Sequence, residues 1–175
     1  PEHLRKTIES VCTDIYDGFV YAVTEVLGEQ VLVIDRYHVS KLYRKPLDSL
    51  RISEMKRLKS LLSEEEYAQL EGIMWIIRKN HECLSEADKE KLELLYKHSP
   101  KLKQAHTYAL QLTQILNTHC SKKSGLAKIN RWMKRVKKSD VTCFNSFLGT
   151  LEKYKSYVAN YFKKRRNSGF VEGLN

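Results

Sequence analysis

Two aspartates in the first 35 residues occupy positions where a side chain can do chemistry. Asp14 follows a short strand candidate at 8–12, and Asp35 follows the continuous β-branched run at 31–34. Open α/β sheets bind their ligands beyond the carboxyl ends of their strands. The placement of both acids at strand ends therefore indicates a binding site at that edge of the sheet.

Two further candidates extend this set. Asp35 opens the string DRYH, which ends at His38, and Glu172 lies in the terminal block NSGFVEGLN, directly after a run of four basic residues. Each residue also has a structural explanation. Asp14 is suited to a helix N-cap, Glu172 to the acid-preferring first turn of a helix, and His38 to a simple helix-start position.

The elements that must position these residues are mostly helices. A strand, a helix from Phe19 to Gly28 and a buried strand come first, and the pattern from Tyr37 onward is helical. We expect a mainly α protein. Four capped helices are expected: Ser63 through Ile77, Ser85 to near His98, Ser99-Pro100 to about Cys120, and a last helix capped by Ser139 or Asp140 that runs through Phe162. Pro46 predicts a break or kink, and Gly125 predicts a break. Trp75 and Trp132 are expected in the core.

The net charge of +10 is concentrated in one part of the 175 residues. Residues 122–166 carry 14 Lys and Arg against 2 acids, whereas residues 63–93 carry nine carboxylates against four bases. A second basic stretch covers 36–59. This asymmetry favours a polyanionic partner, although Lys-rich solvated helix faces are also common.

The four cysteines lie far apart without a C-x-x-C pair, which predicts reduced thiols and a cytoplasmic location rather than disulfides or zinc. The sequence shows no run of about 18 apolar residues and no apolar signal region, so no membrane partner is expected.

Three blocks of the sequence carry a family resemblance. The strings VCTDIYDGFVYAVTEVL, VLVIDRYHVSK and RRNSGFVEGLN resemble the catalytic region of bacterial insertion-sequence transposases of the DDE class, in the ISL3 branch. VIDRYHV and SGFVEGLN are the most specific parts, and the resemblance covers nearly the whole chain. It implies a remnant of an RNase H-like α/β core with a large all-helical insertion. The implied domains are a partial core at 1–45, the insertion at 46–162 and the start of a C-terminal catalytic helix at 163–175.

The resemblance also implies roles for single residues. Asp14 matches the second catalytic Asp of the family and Glu172 its final Glu, and together they would hold Mg²⁺ or Mn²⁺. Two such ions, about 3.5–4 Å apart, drive phosphodiester cleavage and strand transfer. Asp35 and His38 match a D-x-x-H string that orients the site, although Asp35 remains an alternative for the second catalytic acid.

The implied partners are DNA, as transposon ends and target, and optionally a second copy of the chain. The first catalytic Asp of the family lies on an earlier strand that this sequence does not contain. We therefore expect part of a longer transposase, or a decayed copy, that does not cleave DNA alone. The alternative function is a non-catalytic basic helical module that binds nucleic acid. Eight basic side chains are expected to contact the DNA backbone: Lys134, Arg135, Lys137, Lys138, Lys163, Lys164, Arg165 and Arg166.

Overall fold

The computed structural model describes residues 2–79 and 81–168. Its first part contains a short helix, α1 (Glu2–Arg5), followed by the predicted strand–helix–strand unit: β1 (Val11–Thr13), α2 (Asp17–Leu27) and β2 (Leu32–Ile34). The two strands pair in parallel, with Val11 opposite Leu32 and Thr13 opposite Ile34. The unit is confirmed, although β1 begins three residues later than the expected start at Ile8.

Helices form the rest of the described chain, so the mainly α prediction is confirmed. In chain order they are α3 (Arg36–Leu61), α4 (Glu64–Ala68), α5 (Ile73–Ile76), a 3₁₀ turn (His81–Cys83), α6 (Glu86–His98), α7 (Pro100–Asn117), α8 (Lys122–Lys137) and α9 (Asn145–Lys164). No helix among the described residues is long and apolar enough to cross a membrane.

Side-chain caps set three of the predicted helix starts. Ser63 and Ser85 each complete a capping box, in which the serine oxygen accepts from the N3 backbone and the N3 acid accepts from the serine backbone. Ser99 caps α7 by accepting from the Leu102 backbone amide, with Pro100 at the first helical position. At the other end of a helix, Gly28 terminates α2 with a positive φ of 85°.

Tertiary packing overrides several sequence signals. Of the break or kink expected at Pro46, the break does not occur, because α3 continues through it with buried Tyr43 and Leu47 on either side. The expected break at Gly125 is also wrong: Gly125 lies inside α8, where a Cβ would approach the Phe162 ring to 2.2 Å. Glycine is used here for close helix packing rather than for a turn.

The helix predicted from Ser63 through Ile77 is divided into α4 and α5, because Gly72 adopts a left-handed conformation with φ 79°. The last helix begins at Asn145 rather than at Ser139 or Asp140. Trp75 is 63% exposed and does not belong to the core.

The core is centred on α9, which packs against β2, α3 and α8. Trp132 of α8 is fully buried, as predicted, and its indole N–H donates to the Tyr108 carbonyl at 2.9 Å. Asn160 of α9 donates to the backbone carbonyls of Leu32 at 2.6 Å and of Glu29 at 3.1 Å. This buried amide fixes the helical body against the strand unit.

Candidate active site

The parallel pairing of β1 and β2 brings Asp14 and Asp35 to the same edge of the sheet. Each residue directly follows its strand, and the strands end in register at Thr13 and Ile34. The ladder continues one step beyond the strands, because the Asp35 amide donates to the Thr13 carbonyl at 2.9 Å. Both acids therefore lie at the carboxyl edge of the two-stranded sheet.

Asp14 is the exposed member of the pair. Its side chain is 55% exposed, and its Oδ1 lies 2.8 Å from Nε2 of His38. His38 lies in the first turn of α3, which starts directly after β2, and the Tyr37 ring packs edge-on against its imidazole with centroids 5.4 Å apart. The imidazole thus fixes one carboxylate oxygen of Asp14, and Oδ2 has no bonded partner among the described residues.

Asp35 has a different environment. The residue is 1% exposed, and both of its carboxylate oxygens accept backbone N–H groups: Oδ1 from Tyr37 at 2.6 Å and Oδ2 from Ser168 at 2.6 Å. Burial raises the pKa of the Asp35 carboxyl group. The hydrogen bonds from Ser168 and Tyr37 and the nearby His38 outweigh burial, so the pKa lies below its ordinary value.

The charge on Asp35 also affects Cys12 in β1. Burial, with the Asp35 carboxylate as a second cause, raises the pKa of the Cys12 thiol to about 11. Asp35 thus acts as a buried anion that caps α3 and holds the chain near Ser168. Its two oxygens both accept backbone N–H groups, whereas the Asp14 side chain is exposed and only its Oδ1 has a bonded partner among the described residues. Between the two alternatives, this difference favours Asp14 as the acid able to bind a metal.

The chain returns to this edge after α9. Arg165 adopts a left-handed conformation with φ 53° and ends α9, and the Arg166 carbonyl then accepts from Sγ of Cys12 at 3.6 Å. Two residues later, the Ser168 backbone amide donates to Oδ2 of Asp35. Glu172, the predicted final acid, lies outside the described residues. No sequence signal identified the Ser168 backbone amide as a partner of Asp35.

The basic run at 163–166 makes internal contacts in this structure. Lys164 and Arg166 both pair with Glu9, at 2.8 and 2.5 Å. Lys163 donates to the Gln30 carbonyl at 3.0 Å. Arg165 donates to the Thr118 carbonyl at 3.1 Å. Lys163, Lys164 and Arg166 hold the end of α9 against the N-terminal part of the chain, and Arg165 holds it against the end of α7. Contact with DNA would have to compete with these bonds.

A second basic group lies on the outer face of α8. Five cations line one groove beside Ile115: Lys128, Arg131, Lys134, Arg135 and Lys138. Within the described part of the chain, none of the five forms an ion pair with a carboxylate. Lys137, on the same helix, instead pairs with Glu152 at 3.5 Å.

Lys128 and Arg131 were missing from the predicted set of DNA contacts. Their spacing could have revealed them, because Lys128, Arg131, Arg135 and Lys138 recur every three or four residues and so share one helix face. At about 100° per residue, that face lies about 120° around α8 from the buried stripe, which includes Ile129.

The described residues do not complete a metal site. Within 2–79 and 81–168, no group of three or more His, Cys, Asp and Glu side chains is arranged to hold a metal ion. The donor chemistry of Asp14 nevertheless fits a hard divalent cation, since its free carboxylate oxygen is the kind of ligand that Mg²⁺ prefers. Asp14 can thus supply one ligand to such a cation.

A comparison with known protein families identifies the family to which the chain belongs. The family model for transposases of the ISL3 branch of the DDE class, described as "Transposase", matches residues 1–175. The chain belongs to this transposase family, and the resemblance noted in the sequence is confirmed. No curated protein and no solved structure matches the chain.

Proposed function

We propose that this chain is part of the catalytic domain of a transposase that cleaves and joins DNA strands at the ends of a mobile element. The observation that carries the proposal is the carboxyl edge of the sheet, where Asp14 is exposed and fixed by His38 at 2.8 Å. In this proposal the strand–helix–strand unit belongs to an RNase H-like core at 1–45, residues 46–162 form the helical insertion, and 163–175 begins the catalytic helix.

Asp14 and Glu172 are the proposed metal-binding carboxylates. Glu172 is four positions after Ser168, and four residue steps of chain span at most about 14 Å. Because Ser168 is hydrogen-bonded to Asp35 at this edge, the connection allows Glu172 to reach Asp14. Divalent ions bound there would activate the attacking hydroxyl or water and stabilise the leaving oxygen of a phosphodiester.

The chain's own residues have separate tasks in this proposal. Asp14 offers one oxygen to the metal, and His38 restricts the rotation of the carboxylate by bonding the other oxygen. Asp35 contacts neither metal nor DNA. It starts α3 at the position that presents His38, and it holds the segment that leads to Glu172.

Binding of Mn²⁺ measured by electron paramagnetic resonance tests the proposed acids. Asp14→Asn and Glu172→Gln should each weaken Mn²⁺ binding at least tenfold, whereas Asp140→Asn, an exposed acid without an ion pair among the described residues, should not. Unchanged Mn²⁺ affinity in Asp14→Asn would refute the assignment. Because the described residues contain no group of three or more side chains arranged to hold a metal ion, we expect no DNA nicking by the 175-residue chain alone. Robust nicking that Asp14→Ala abolishes would show that expectation to be wrong.

We further propose that the α8 groove contacts the DNA backbone. Its cations are free of carboxylate partners among the described residues, and phosphate contacts of this kind release counterions and weaken with salt. The pair Arg131→Gln and Lys134→Gln should reduce the slope of log K against log salt by about 2. The loss of affinity should be similar for unrelated DNA sequences, because phosphate contacts do not read bases.

Two matched variants sharpen this test. Lys89→Gln with Lys91→Gln removes the same charge from α6 in the acidic stretch and should leave the salt slope unchanged. Lys164→Gln with Arg166→Gln removes the contacts with Glu9, so it should lower thermal stability as well as DNA affinity. If the α6 pair reduces the slope as much as the α8 pair, net charge rather than the α8 groove governs binding.

The non-catalytic alternative predicts the same DNA affinity but no Mn²⁺ site at Asp14.

A further inference from the structure

A cleft opens directly beside Asp14, between the loop after β1, the first turns of α3 and the N-terminal half of α9. Its walls include Asp14 and His38 together with Tyr16, Phe19, Lys41 and Gly149. The cleft has a volume of about 880 Å³. It therefore has room for a ligand next to the free oxygen of Asp14.

Two aromatic rings on one side of the cleft are exposed. Tyr16 is 61% and Phe19 53% exposed, and the rings pack edge to face with centroids 5.2 Å apart. Gly18 makes this arrangement possible, because a Cβ at that position would lie 2.6 Å from Cε1 of Tyr16. The Tyr16 ring thus lies over the first turn of α2 and presents an apolar surface to the cleft.

The part of the wall formed by α3 supplies a cation. Lys41 lies one helical turn after His38 on α3, so both side chains are on the same face of the helix. Lys41 forms no ion pair with a carboxylate in the part of the chain that the structure describes. Lys153, the other cation of the cleft, is already paired with Asp17 at 2.6 Å. Lys41 is therefore the cation of this wall that remains available to an anionic ligand.

We propose that this cleft binds an unpaired nucleotide, with its base stacked on Tyr16 and Phe19 and its phosphate contacted by Lys41. An aromatic surface beside a free lysine matches the two parts of a nucleotide, a π-faced base and a phosphate anion. Every base has a π face, so the site accepts any base. The position next to Asp14 makes this nucleotide the neighbour of the reacting phosphodiester, and that part of the inference rests on the proposed function.

Fluorescence of 2-aminopurine tests the stacking. The probe is a DNA oligonucleotide carrying one 2-aminopurine, either unpaired in a single strand or paired within a duplex, titrated with the full chain without metal. Binding should quench the unpaired probe and leave the paired probe unquenched. Tyr16→Ala and Phe19→Ala should each weaken single-strand binding about 5- to 150-fold and abolish the quenching, since stacking of one base is worth about 1–3 kcal/mol.

Two controls separate stacking from general effects. Tyr21→Ala removes a ring that is 67% exposed on the same helix but does not line the cleft, and it should bind like the parent. Tyr16→Phe keeps the ring and should retain the quenching. Lys41→Gln should reduce affinity and lower the salt slope by about 1 while leaving the quenching of bound probe intact.

The outcomes distinguish this inference from the proposed function. Parental affinity and quenching in Tyr16→Ala, or an equal loss in Tyr21→Ala, would overturn the nucleotide site and leave the Mn²⁺ test of Asp14 unaffected. Equal quenching of the paired probe would also overturn it. Conversely, quenching that depends on Tyr16 in a chain that binds no Mn²⁺ at Asp14 would keep the nucleotide site and refute the catalytic role proposed for Asp14.

Discussion

Replacement of Asp35 by asparagine tests the structural core of the candidate site. The buried carboxylate accepts backbone N–H groups from Tyr37 and Ser168, each at 2.6 Å. Hydrogen bonds to a charged acceptor are worth about 1.5–3 kcal/mol each, whereas a neutral amide keeps one weaker bond and leaves the second N–H unpaired. Relief from burying a charge offsets part of that loss. We expect Asp35→Asn to lower the free energy of unfolding at pH 7 by about 2 kcal/mol.

Thermal unfolding followed by circular dichroism measures this change. A loss of about 2 kcal/mol lowers the Tm by about 4–8 °C in a chain of this size. Asp140→Asn is the matched control, because Asp140 is exposed and forms no ion pair with a described residue, so its effect should stay within about 0.5 kcal/mol. Equal stability of Asp35→Asn and the parent, or an equal loss in Asp140→Asn, would refute the role given to Asp35.

The pH dependence provides an independent check. The folded-state pKa of Asp35 lies below its ordinary value, so its contribution is present above about pH 4 and is lost as the pH falls through the folded-state pKa. The difference in stability between parent and Asp35→Asn should therefore be largest at pH 7 and shrink below about pH 4. A difference that grows on acidification would contradict the hydrogen bonds assigned to the ionised carboxylate.

Two further predictions concern packing, and thermal or urea unfolding measures both. Gly125→Ala should destabilise the fold by about 1–3 kcal/mol, because the new methyl group would overlap the Phe162 ring. Gly149→Ala in α9 places its methyl group in open space and should stabilise the fold by about 0.5–1 kcal/mol. The reverse order of stabilities would show that the α8–α9 contact is wrong. Trp132→Ala should lower the free energy of unfolding by about 3–5 kcal/mol, because Trp132 is fully buried. Trp75→Ala should lower it by less than about 0.5 kcal/mol, because Trp75 is exposed. Equal losses in the two variants would contradict this difference in burial.

Local signals in the sequence predicted the parts of the fold that depend on local physics. Ser63, Ser85 and Ser99 cap helices through bonds to residues three positions away, and that spacing is visible in one sequence. The role of Gly125 was not predictable, because it depends on Phe162, a residue 37 positions later that packs against it. Pro46 is a comparable case, since packing on both sides of it maintains α3.

The candidate site was predictable only in part, for the same reason. Strand-end placement identified Asp14 and Asp35, and the structure brings both to one edge. Their different environments follow from contacts across the chain, since Ser168 lies 133 residues after Asp35. The basic run at 163–166 showed its charge in the sequence but not its partner Glu9, more than 150 residues earlier.

Diffraction from crystals soaked in Mn²⁺ tests whether Asp14 and Glu172 bind a divalent metal ion, because anomalous scattering locates the ion independently of the protein atoms. We predict an anomalous peak about 2 Å from a carboxylate oxygen of Asp14, with Glu172 as a second ligand, and no such peak in Asp14→Asn crystals. A Mn²⁺ ion bound by Asp35 instead, or an ordered Glu172 too far from Asp14 to share a metal, would contradict it.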